Sequence, residues 1–95
     1  MNRELNEIKL LIEANHYSHC YLHMWDGTYE VYFCDHESEE GIQDKLIARA
    51  GTPRTYKSVD RALEAIRGLG WNGSVTVEGP CGQRMGTIRF QQIAN

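Results

Sequence analysis

Residues 16–36 read HYSHCYLHMWDGTYEVYFCDH, and the fold turns on how this stretch is laid out. Its centre, Asp26-Gly27, is a strong hairpin signal, because both positions of the tightest two-residue turn need positive φ. Counting outward from a two-residue loop sets the register. Trp25 faces Thr28, Met24 faces Tyr29, His23 faces Glu30, Leu22 faces Val31, Tyr21 faces Tyr32, Cys20 faces Phe33 and His19 faces Cys34. Strand side chains alternate between two faces. Cys20, Leu22, Met24, Tyr29, Val31 and Phe33 therefore form an apolar core face. His19, Tyr21, His23, Trp25, Thr28, Glu30, Tyr32 and Cys34 form a second face, aromatic and half polar. All four histidines and two of the three cysteines lie in this stretch, and the alternation places several of them on the outer side of a strand pair.

Upstream, NRELNEIKLLIEAN (2–15) has Leu5, Ile8, Leu11 and Ile12 at helical spacing, with Asn2 as the expected N-cap and Asn15 near the stop. Downstream, KLIARAG (45–51) alternates Lys45, Ile47 and Arg49 against Leu46, Ala48 and Ala50. That suits a third strand, with a short helix as the alternative. GTPRTYKS (51–58) reads as a loop with Gly51 and Pro53 as breakers. Ser58 caps a second helix, SVDRALEAIRGLG, whose Val59, Ala62, Leu63, Ile66 and Leu69 point inward; Gly68 and Gly70 supply the stop. Two further strands, SVTVE (74–78) and GTIRF (86–90), are joined by the glycine-rich GPCGQRM. That loop leads into a strand and so lacks the helix end a phosphate loop requires. The expected architecture is α+β in the order α-β-β-β-α-β-β: one domain over residues 1–95, an antiparallel sheet of about five strands, two helices on one face.

Ninety-five residues with 41% hydrophobic and 24% charged content fit one ordinary globular core. No apolar run approaches the ~20 residues that span a bilayer, and the charged opening MNRELNEIKLL is unlike a secretory signal, so the expectation is a cytoplasmic protein with reduced thiols. The net charge of −3 divides unevenly. Residues 1–44 carry ten acids against Arg3 and Lys9, a net of −8. Residues 45–95 carry eight bases against Asp60, Glu64 and Glu78, a net of +5. Folding either keeps an acidic and a basic side or intermixes them.

Four groups of residues could carry chemistry. His19, Cys34 and His36, with His16 or Cys81, are candidate metal ligands, although no close-spaced ligand pairs occur. His23 opposite Glu30 reads more simply as a cross-strand pair. Cysteine–histidine catalysis would need a base, an orienting group and an oxyanion hole around one thiol, and no such set assembles, so no catalytic residue or cofactor is expected. The acidic run DHESEEGIQD (35–44) reads as a solvated loop or, with Glu37, Glu39 and Glu40, as a patch for a basic partner. Tyr21, Trp25 and Tyr32 are candidate anchors on the aromatic face. Arg54, Lys57, Arg61 and Arg67 form the alternative, a nucleic-acid-binding set joined by Arg84 and Arg89.

Residues 3–70 resemble the double-stranded-RNA-binding domain in element order, which implies phosphate contacts near Arg54, Lys57 and Arg61. Residues 47–71, IARAGTPRTYKSVDRALEAIRGLGW, are similar to a segment of small accessory proteins of bacterial plasmids, prophages and integrative elements. The pattern is carried by Gly51, Pro53, Arg54, Tyr56, Lys57, Ser58, Asp60 and Ala62. That resemblance implies a mobile-element protein, a class that includes anti-CRISPR and anti-restriction inhibitors. The expectation is a non-enzymatic protein that binds a host complex handling nucleic acid and blocks it. Self-association through the aromatic face is the other partner expectation.

Overall fold

The computed structural model describes residues 2–35, 43–48, 51–79 and 84–89. The hairpin forms in the expected register. β2 (His19–Trp25) and β3 (Thr28–Cys34) pair antiparallel from Trp25↔Thr28 to His19↔Cys34. Asp26 and Gly27 take φ of 50° and 79°, the twist that lets a two-residue turn follow the strands. Cys20, Leu22, Val31 and Phe33 are buried on one side, with Met24 and Tyr29 half-buried toward the turn.

The rest of the sheet differs from the expectation. It is mixed and, among the described residues, has seven strands, with β1 (Asn2–Glu4), β4 (Gln43–Ile47), β5 (Thr55–Tyr56), β6 (Ser74–Glu78) and β7 (Arg84–Arg89) beside the hairpin. The order is β1-β4-β3-β2-β6-β7, and β5 pairs with β3 beyond the end of β4. Two contacts are parallel, β1 with β4 and β2 with β6. The cause is connection. Helix α1 (Leu5–Glu13) carries the chain from β1 to β2, and α2 (Val59–Gly68) carries it from β5 to β6. Each is a crossover, and a crossover returns the chain in its original direction.

Local signals set the element ends, with four corrections. Asn2 is not the cap of α1. Residues 2–4 pair with Lys45–Ile47 before the helix starts, and Glu4 becomes the N-cap. At the far end Asn15 takes the left-handed conformation at φ 56°. His16 N–H donates to Leu11 O at 2.9 Å and Asn15 N–H to Ile12 O at 3.0 Å, a Schellman stop. Ser58 caps α2 as expected, its hydroxyl accepting from Arg61 N–H at 3.2 Å. Only Gly70 of the two stop glycines has positive φ; Gly68 is the last helical residue. The supposed loop 51–58 contains β5, and β7 begins at Arg84, two residues earlier than expected.

Both helices pack on the same face of the sheet. Ile8 of α1 and Ala62 and Ile66 of α2 join Leu22, Val31, Phe33, Leu46 and Val75 in one continuous core. Trp71 sets its ring edge against Phe33 and donates from Nε1 to Ser74 O at 3.1 Å. One charged residue is sealed with them. Asp44, read from sequence as part of a solvated acidic loop, is 1% exposed on β4. Its Oδ2 accepts from Tyr17 Oη at 2.6 Å and from Arg3 Nε at 2.8 Å. Among the described residues no helix is long and apolar enough to cross a membrane.

Candidate partner-binding face

The sheet face away from the helices is organised by register into two rows. One row runs Asn2, Lys45, Tyr32, Tyr21, Thr76, Thr87 across six strands. The next runs Thr55, Glu30, His23, Glu78, Arg84. Strands sit ~4.8 Å apart, so neighbouring side chains in a row touch.

The contacts join the rows. Lys45 Nζ donates to Glu30 Oε2 at 2.8 Å and lies 5.5 Å from the centre of the Tyr32 ring. The hydrogen bond to Glu30 is the largest cause that holds Lys45 protonated above the usual lysine range. His23 meets Tyr32 edge-on at 6.4 Å between centroids, and its Nδ1 lies 4.0 Å from Glu78 Oε1. His19 stacks on Tyr21 at 6.1 Å, with Ser18 Oγ 2.9 Å from His19 Nδ1. The expected cross-strand pair of His23 with Glu30 forms in the register, but Glu30 turns to Lys45 and His23 to Glu78. A permanent cation outcompetes an imidazole for the better-placed carboxylate.

Of the candidate anchors, Tyr21 and Tyr32 are half-buried at the centre of the face, and Trp25 stands 60% exposed at the turn. Glu37, Glu39, Glu40 and His36 lie outside the described residues, as does Cys81. Cys34 faces this side by register yet is only 3% exposed. Burial pushes its thiol up to about 11, with nearby carboxylates adding to the effect, so at neutral pH it is a poor metal ligand and a poor nucleophile. Cys20 is raised well above its ordinary value by burial in the core. Among the described residues no group of three or more His, Cys, Asp or Glu is placed to hold a metal ion.

The residues of the basic alternative come from the segment before α2 and from α2 itself. Lys57, Arg61 and Arg67 are exposed, whereas Arg54 is half-buried beside the start of α1. Arg61 and Arg67 sit ~120° apart around α2 at 3.6 residues per turn. Sequence reasoning missed Thr76 and Glu78 as members of the face, because their place beside β2 depends on a parallel pairing with no local signal. Compared with known families, characterised proteins and solved structures, the chain matches none of them.

Proposed function

We propose that the chain is a non-enzymatic binding protein that docks on a protein partner through the open face of its sheet and the turn beside it. One observation carries this reading. The face is aromatic at its centre, and its central cation is already spent on Glu30 at 2.8 Å. A phosphate backbone is gripped by free lysines and arginines, whereas a protein partner is gripped by buried aromatic anchors ringed by polar groups. Tyr21, Tyr32 and Trp25 are the anchors, and Glu30, His23, Glu78 and Thr76 form polar surroundings. The similarity of residues 47–71 to mobile-element accessory proteins supports a host nucleic-acid-processing defence complex as the target, held and inhibited by occlusion. Glu37, Glu39 and Glu40 add steering toward a basic partner.

The test is a pull-down with tagged protein, nuclease-treated and washed at rising salt, run beside Trp25→Ala and Tyr32→Ala. A defined protein complex that survives nuclease and is lost from both variants supports the reading. Recovery of nucleic acid alone, lost at moderate salt and sensitive to charge reversal at Arg54, Lys57 and Arg61, overturns it.

A further inference from the structure

The chain leaves β1 at Glu4 to enter α1, and leaves β4 at Ile47 for the turn that returns to β5. Because β1 and β4 run parallel with Glu4 opposite Ile47, both strands end together. A notch of about 290 Å³ opens there, lined by Glu4, Leu5, Asn6, Ile47 and Arg54. In open sheets with parallel strands and helices, the crevice at the strands' carboxyl ends is where ligands sit.

Arg54 is the unusual member. Its main-chain N–H is held by Leu46 O at 3.1 Å, which fixes the residue at the notch. Its Nε is buried and has no hydrogen-bond partner. Glu4 lines the same notch, yet among the described residues no ion pair joins the two. Glu4 is instead engaged with α1: its N–H donates to Glu7 Oε1 at 3.4 Å, and its carboxylate faces the Glu7 N–H. A half-buried guanidinium left without an anion is costly, and proteins keep such a group where a ligand completes it. The positive end of the α1 dipole adds to the same preference.

We propose that this notch binds a small ligand through one oxyanion group, a carboxylate or a phosphate, gripped by the Arg54 guanidinium at the amino end of α1. By register Glu4 and Ile47 lie on the same side of the sheet as Asn2 and Lys45, one pleat further along the strands, and the proposal does not rest on the docking reading. Glu4 acts against a highly charged ligand and so favours a single negative charge.

Thermal unfolding and calorimetric titration with inorganic phosphate and with acetate, each against chloride at matched ionic strength, test the proposal and tell the two chemistries apart. The intact chain is expected to bind at least one of them saturably, with a rise in Tm that chloride does not produce. Arg54→Met is expected to abolish that binding while raising Tm in chloride, because a half-buried guanidinium whose Nε has no partner has been removed. Glu4→Gln, which keeps a capping oxygen, is expected to tighten binding several-fold. Absence of saturable binding to either probe overturns the proposal, and so does binding that Arg54→Met leaves unchanged.

Discussion

Asp44 shows how much one residue's surroundings decide. In sequence it closes an acidic run; in the fold it is the buried acceptor for Tyr17 and Arg3. Removing a partner from such a group leaves buried donors unmatched. Asp44→Ala is expected to cost about 3 kcal/mol, and Tyr17→Phe, which deletes one hydrogen bond and keeps the ring, about 1 kcal/mol. Urea denaturation monitored by tryptophan fluorescence measures both. The same burial makes stability sensitive to alkali. Burial raises the Cys34 thiol from its ordinary 9.0 to about 11, and burial followed by the Asp44 hydrogen bond raises the Tyr17 hydroxyl above its ordinary 10.0. The unfolded chain therefore loses these protons first. Their contribution to stability is complete below about pH 9 and declines as pH rises through 9 to 11 for Cys34, and from about 10 upward for Tyr17. The urea midpoint should fall across that range, and Cys34→Ala combined with Tyr17→Phe should flatten the fall. A midpoint independent of pH from 8 to ~11 would show the two groups to be solvated.

The elements follow their local chemistry closely. The Asp26-Gly27 turn, the Ser58 cap and the left-handed Asn15 and Gly70 are all visible as residue types. One tight approach is not. A Cβ built on Gly73 would lie 2.7 Å from Cζ2 of Trp71, whose ring edge packs against Phe33. Gly73→Ala must push that ring off the core, at about 1–3 kcal/mol, visible as a changed near-ultraviolet circular dichroism signal. Retained signal and stability would mean that the indole has room to move. Nothing in the order W-N-G-S announces this contact, because it depends on where the indole lies above β6.

For the whole molecule, the two sheet faces make opposite predictions. Ile66 joins α2 to a core shared by α1 and the hairpin, and it is fully buried. Ile66→Ala is expected to cost about 2–5 kcal/mol. Trp25, 60% exposed at the turn, is expected to change stability by no more than about 0.5 kcal/mol on conversion to Ala, while partner capture is lost. Thermal melts of the two variants beside the pull-down separate folding from binding.

The sequence by itself determined the hairpin, its register, both helices and the strand 74–78. Each rests on contacts between residues close in the chain, where periodicity and turn chemistry act directly. The tertiary structure decided the rest. β1 is three residues long and has no pattern of its own; it exists because the edge of β4 is open beside it. Thr76 and Glu78 join the aromatic face because α2 returns the chain parallel to β2, and Asp44 is buried because Phe33 lies opposite it. These are contacts between residues from about ten to more than fifty positions apart, where the free energy of pairing and burial, not local propensity, chooses the partner.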